Sequence, residues 1–289
     1  MTDLPHRTGR IGRRSLGRLG AALGAAALAT PTLLVRRAQA NALDKAKAAG
    51  VLNVATELHF APFDFSEGGK QVGFNSEAFA EIGKELGVKV TFQDLPWEAV
   101  LPGLEAGRYD MVAGPATITR ARMERYRFTA PVADATVAFL KRANDASITK
   151  PEDVSGKVIG SGKATAQLAQ TQAWVAKLPK PPEVREYVSF SEAYADLAAG
   201  RIVAVGNSLS NIAYTAKQRP NVFSVVMPTF GAKTYFGFIG RKDPDSAPLL
   251  DAVDAALDKM RADGRLAALQ TKWLGQSFDL PARVTEAAV

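Results

Sequence analysis

Leu104–Gly114 reads LEAGRYDMVAG, and Leu197–Asn207 reads LAAGRIVAVGN. In both copies a helical stretch stops at Ala-Gly-Arg and a short apolar run follows. Gly107 and Gly200 are natural left-handed helix stops. The apolar runs, Met111–Ala113 and Ile202–Gly206, are too short for helices and read as buried strands. A helix–glycine–strand unit that occurs twice in one chain points to two similar α/β lobes.

The flanking sequence agrees. Val51–Thr56, Val88–Phe92 and Thr136–Leu140 read as strands, with helices expected over Glu77–Leu86, stopped by Gly87, and over Trp97–Ala106. Met111–Ala113 is expected to run into a Gly114-Pro115 turn. Around the second copy, Lys157–Gly160, Tyr187–Val188, Phe223–Val226 and Tyr235–Ile239 read as strands. Thr165–Leu178, Ser191–Ala199, Leu209–Gln218, Leu249–Leu257 and Leu266–Trp273 read as helices. Short apolar strands alternating with amphipathic helices are the pattern of an α/β sheet protein. Such sheets bind ligands beyond the carboxyl ends of their strands. Here those ends are Thr56-Glu57, Gly114–Thr117, Gly160–Thr165 and Gly206–Ser208, which a cleft between two lobes would bring together.

Composition narrows the function. The formal charge of +7 invites a nucleic-acid reading, but residues 1–40 hold seven arginines and one acid. Setting these aside leaves 29 basic and 28 acidic residues, so no basic surface for nucleic acid is expected. The same 40 residues resemble an export signal: Arg13-Arg14, a weakly apolar run over 19–35, and Ala38-Gln39-Ala40 as a small-x-small cleavage pattern. The arginine pair resembles a twin-arginine address, with Leu16 in its hydrophobic position and Gly17 departing from it. A periplasmic location is expected. With no cysteine, and with His59 the only histidine after residue 40, neither a metal site nor Ser-His-Asp chemistry is expected. No cofactor is expected either.

The ordered string Gly50-Val-Leu-Asn-Val-Ala-Thr56, Phe60-Ala-Pro-Phe-Asp-Phe65, Gly73-Phe-Asn75, Trp97…Leu101-Pro-Gly-Leu104, Gly107-Arg-Tyr-Asp110, Thr117-Ile-Thr119 and Arg122 closely resembles the family 3 solute-binding proteins. These are periplasmic receptors of polar-amino-acid ABC importers. The resemblance covers about residues 44–276. It implies a two-lobed, type II "Venus flytrap" fold with two crossover strands, Thr136–Arg142 and Lys233–Arg241. Lobe 1 would be 41–138 plus 238–289, and lobe 2 would be 139–237. It also implies a monomer, an inner-membrane ABC permease as partner, and a small carboxylate-bearing ligand, an amino acid or related zwitterion.

Arg122 follows Thr119, a helix N-cap by its position, and can reach back to Gly114–Thr117. The resemblance implies that its guanidinium forks the ligand carboxylate, a geometry lysine does not offer. Arg120, Arg125 and Arg127 are expected on the surface. Thr117 matches a carboxylate-binding position, or is simply a capping threonine. Thr165 matches a second anion-binding threonine, at a helix N-terminus, although Ala164 stands where the family has glycine. Phe60 and Trp97 match aromatic lining positions, with core packing as the alternative for each. Glu57 matches a position that reads the ligand's side chain, with a solvated strand-end acid as the alternative. His59 is expected at the surface.

One departure bears on specificity. The resemblance places the family's ammonium-binding Asp at Ser208, beside Asn207, and Val203 replaces a further Asp. With no carboxylate there, ectoine-like solutes and betaines join the α-amino acids as candidate ligands, held by cation–π contact. A rival function on the same scaffold is a periplasmic cyclohexadienyl or arogenate dehydratase, with Glu57 or Lys163 as the general acid. The expectation here is a receptor and not an enzyme.

Overall fold

The computed structural model describes residues 40–289. The export signal expected over residues 1–40 lies, but for Ala40, outside them.

The first stretch builds most of one lobe: α1 (Ala42–Ala49), β1 (Val51–Thr56), β2 (His59–Phe60), β3 (Asp64–Glu67), β4 (Lys70–Val72) and α2 (Phe74–Leu86). It continues through β5 (Lys89–Asp94), α3 (Trp97–Glu105), β6 (Met111–Thr117), α4 (Arg120–Arg125), β7 (Tyr126–Phe128) and β8 (Ala133–Asp134). The second lobe holds β9 (Val137–Arg142), a 3-10 turn over Pro151–Val154, β10 (Val158–Gly162), α5 (Ala166–Val175), β11 (Glu183–Tyr187), α6 (Phe190–Ala198), β12 (Ala204–Ser208), α7 (Leu209–Gln218) and β13 (Phe223–Phe230). The chain then returns to the first lobe with β14 (Tyr235–Arg241), α8 (Ala247–Ala262) and α9 (Arg265–Leu274).

Each lobe has its own sheet, and the two sheets share a plan. One runs β5-β1-β6-β14-β7 with β8 added on β14, and the other β11-β10-β12-β9-β13. β1 is parallel to β5 and β6, as β10 is parallel to β11 and β12. An antiparallel strand then closes each set, β14 against β6 and β9 against β12. The two quoted repeats therefore occupy the same place, running from α3 into β6 and from α6 into β12. Gly107 and Gly200 adopt φ of 68° and 77°, the left-handed stop each helix needs. The chain crosses from the first sheet to the second between Asp134 and Val137, and returns between Phe230 and Tyr235.

Two local expectations are corrected. The strand expected at Tyr187–Val188 runs instead over Glu183–Tyr187, and Val188 lies outside it. Gly114-Pro115 is not a turn, because β6 runs on to Thr117 and is buried throughout. Between Val112↔Ile239 and Ala116↔Gly237, β6 carries more residues than β14. The surplus forms a bulge that holds Gly114 and Pro115. Proline has no N–H for the ladder, so a bulge is where a strand tolerates it. A small sheet, β2-β3-β4, leads into the site, and Phe60 on β2 and Phe63 between β2 and β3 join the core. The Phe60 ring lies 5.7 Å from Phe63, 5.9 Å from Phe236 and, across the lobes, 5.8 Å from Phe190.

Candidate functional site

Parallel strands of both sheets end at a small cavity. Of the residues singled out in the sequence, Glu57, Phe60, Trp97, Gly114, Thr117, Arg122 and Thr165 all line it. Asp64, Pro115, Gln167 and Phe190 line it as well.

Arg122 sits in α4. Thr119 caps this helix, its Oγ1 accepting the Arg122 N–H at 3.3 Å. The guanidinium turns back, as its spacing suggests, and donates from Nη1 to Thr117 O at 3.1 Å. It lies over the Trp97 indole, 5.4 Å from the ring centroid. Burial pushes its pKa down to about 10, so it stays cationic at neutral pH. Among the described residues no carboxylate lies within ion-pair distance of it, although each of Arg125, Arg127, Arg142, Arg201, Arg265 and Arg283 has one. A desolvated cation in a cavity is stabilised by an anion that the site can admit. Beside it, the buried Thr117 hydroxyl makes no hydrogen bond among the described residues.

Two acids also line the cavity. Glu57 is 7% exposed, and burial, with the charge of Asp94, pushes its carboxyl up to about 7. Asp64 is fully buried and accepts from Asn75 Nδ2 at 2.7 Å, Ser76 Oγ at 3.2 Å, Gln71 Nε2 at 3.3 Å and the Thr56 hydroxyl. Burial raises it to about 6 against the pull of those donors. Both acids bind protons more tightly in the folded chain than in the unfolded one. Their stabilising protonation is complete below about pH 4 and is lost as the pH rises through about 6 to 7. The protein free of added ligand should therefore melt several degrees higher at pH 5 than at pH 8, an effect on the order of 1–3 kcal/mol. Glu57→Gln should flatten that profile. A profile as steep in the variant as in the parent protein would show that Glu57 does not set it.

The second lobe contributes Thr165, Gln167 and Phe190. Thr165 is the N-cap of α5, as expected. Its Oγ1 accepts the Leu168 N–H at 3.0 Å and donates to Gly162 O at 2.6 Å. Ala164 before it holds φ 58°, the left-handed conformation glycine adopts without strain. Ala164→Gly should consequently be neutral or stabilise by about 0.5 kcal/mol in a denaturant titration, where most Ala→Gly changes destabilise. Gly162 permits the approach of Phe190, since a Cβ there would lie 2.7 Å from the ring.

Asn207 and Ser208 do not line the cavity. Asn207 Nδ2 turns to the Tyr194 hydroxyl at 2.8 Å. The Ser208 hydroxyl donates to Asn211 Oδ1, and Asn211 Nδ2 donates across the lobes to Ala61 O at 2.7 Å. A second bridge joins Lys163 Nζ to Glu98 Oε2 at 2.7 Å, so Lys163 points at a lobe 1 carboxylate. His59 is exposed, as are Arg120 and Arg125. Arg127 is only partly exposed, reaching Asp251 and, at 3.5 Å, Asp254. Of the residues the sequence reading passed over, Asp64 lies inside the quoted FAPFDF stretch, and Gln167 lies in the turn after Thr165. Phe190 carried no local signal, because its place depends on Phe60 in the other lobe.

Comparison with known proteins agrees with this architecture. Residues 52–276 match the bacterial extracellular solute-binding proteins, family 3. The chain is 31% identical over 235 residues to the L-cystine-binding protein TcyJ of Escherichia coli K12, covering 81% of this chain and 86% of that one. Among solved structures, an ancestral arginine-binding protein bound to arginine superposes with a TM-score of 0.71 at 32% identity, over 78% of this chain and 98% of that one. An ancestral amino acid-binding protein, a precursor of cyclohexadienyl dehydratase, superposes with a TM-score of 0.72 at 28% identity, over 81% and 100%. Sheet plan, cleft and sequence together make this chain a member of family 3 of the bacterial extracellular solute-binding proteins, an extracytoplasmic receptor built to hold a small solute between two lobes.

Proposed function

We propose that the protein captures a cationic amino acid, or a zwitterion of the same charge pattern, in the periplasm and hands it to an inner-membrane ABC permease. It would act as a monomer, reach the periplasm by the twin-arginine route, and turn nothing over. The observation that carries the ligand reading is Arg122, a part-buried guanidinium with no ion-pair partner among the described residues, in a cavity that two carboxyls, Glu57 and Asp64, also line. Arg122 and Thr117 would hold the ligand carboxylate. Glu57 and Asp64 would hold its cationic end, while Gln167 would donate from the second lobe, beside Thr165. Phe60, Trp97 and Phe190 would flank the chain between, and Gly114 would let it lie against β6.

Charge counting favours this class. One guanidinium against two ionisable carboxyls leaves the lining at −1 when both acids are charged, which suits a ligand of net +1. A resident cation would also hold Glu57 and Asp64 ionised, so binding should release protons and weaken as the pH falls below about 7.

A thermal-shift panel on the mature protein tests the reading, because a ligand selective for the folded state raises stability by RT ln(1 + [L]/Kd). L-Arginine, L-lysine and L-ornithine should shift the melt more than neutral amino acids, ectoine, glycine betaine or dicarboxylates. A shift with dicarboxylates alone, or with betaine alone, overturns the cationic reading. Loss of CO₂ from added prephenate would overturn the proposal that the protein is not an enzyme.

A further inference from the structure

Residues 277–289 lie beyond the matched family region and carry no helix or strand, yet they are anchored along the first lobe. Arg283 forks Asp258 at 3.0 and 2.8 Å. Ala287 is 2% exposed. The segment ends at α4, the helix that carries Arg122. There Arg120 donates from Nε to Ala287 O at 3.0 Å and from Nη2 to Ala288 O at 3.1 Å, and its backbone N–H donates to Val289 O at 2.7 Å.

We propose that this segment is a strap that fixes α4, and that Arg120 is a positioning residue for the anion-binding Arg122. α4 has six residues and buries none of them, so no core contact of its own holds it. A helix that short is not self-supporting in water. Its first-turn N–H groups also need partners. Thr119 supplies one, to the Arg122 N–H, and Val289 O supplies another, to the Arg120 N–H. The strap provides the second boundary that packing does not. It sets the helix on which the guanidinium rides, and so the alignment of that guanidinium with Thr117.

The inference rests on the reading of Arg122 as the carboxylate fork, so its test has one arm that needs no ligand. In the full mature chain, Arg120→Ala removes both side-chain anchors. Ala287→Asp unseats the strap by placing a charge in a buried site. Amide exchange of Met123 and Tyr126, whose N–H groups bond Thr119 O and Arg122 O, reports α4 directly. L-Arginine, titrated calorimetrically, reports the site. Both variants should speed exchange at those amides. They should weaken L-arginine binding by about tenfold, the scale of one hydrogen bond to a charged group, and Arg120→Lys should restore part of it. Unchanged exchange overturns the strap whatever L-arginine does. Faster exchange with unchanged affinity, in a protein where Arg122→Ala abolishes binding, overturns the positioning role. If Arg122→Ala leaves binding intact, the ligand reading of Arg122 fails, and the exchange arm alone decides the strap.

Discussion

Arg122→Ala should weaken capture of an α-carboxylate ligand by at least about 10²-fold while the protein stays folded. Two charge-assisted hydrogen bonds are each worth about 1.5–3 kcal/mol, and 1.4 kcal/mol is a factor of ten. The ligand's carboxylate would also be left desolvated opposite the Thr117 hydroxyl with no counter-charge. The fold should survive, because α4 buries no side chain and, among the described residues, the guanidinium's one hydrogen bond goes to Thr117 O. Removing a partly buried cation without an ion-pair partner should leave the melting temperature unchanged or raise it slightly. Arg122→Lys keeps the charge and loses the fork, so its affinity should lie between the two. Calorimetric titration beside a thermal melt of each variant checks all of this. An alanine variant that binds as tightly as the parent protein removes Arg122 from the site.

Gly73→Ala should lower stability by about 3 kcal/mol or more, or prevent accumulation of folded protein. Gly73 adopts φ 134° and ψ 177°, a conformation open in practice to glycine alone. The space is closed as well, since a Cβ would lie 2.3 Å from Phe63 O and 2.7 Å from Phe63 C. The neighbouring backbone cannot yield, because Phe74 N–H bonds Pro62 O at 3.0 Å and Asn75 N–H bonds Phe63 O at 2.9 Å. The turn it packs against, Phe60–Phe63, carries Phe60 and Asp64 to the cavity, so partial folding should also show as lost ligand binding. For a chain of this size the expected fall in melting temperature is about 6–12 °C. A variant melting within a degree of the parent protein would mean that the turn relaxes at little cost.

Where local pattern and long-range packing agree, the elements were legible. β1 and α7 fall where their residues place them, because the strand is a short apolar run and the helix an uninterrupted amphipathic stretch. The β3–β4 hairpin was missed although Gly68-Gly69, at φ 58° and 74°, is a turn signal between two short strands. The Gly114-Pro115 bulge was not readable, because it depends on register with β14, far away in the chain. The site divides in the same way. Arg122, Thr117 and Thr165 are set by caps and strand ends next to them in sequence. The family resemblance pointed to Asn207 and Ser208 but not to their directions, which Tyr194 and Asn211 decide. Phe190 faces the cavity only because the lobes meet there, and Asp64 is placed by Thr56, Gln71, Asn75 and Ser76, whose side chains converge on it through the fold of the first lobe.

The hydrogen bond from Asn211 to Ala61 O joins the lobes without the solute's help. A contact worth about 1 kcal/mol multiplies the ratio of shut to gaping molecules by about five, whatever the cleft contains. A receptor weighted in this way keeps its cargo longer and scavenges at lower concentration. It also presents more empty molecules in the shape that signals a full one, so sensitivity is gained at the expense of the contrast the importer reads.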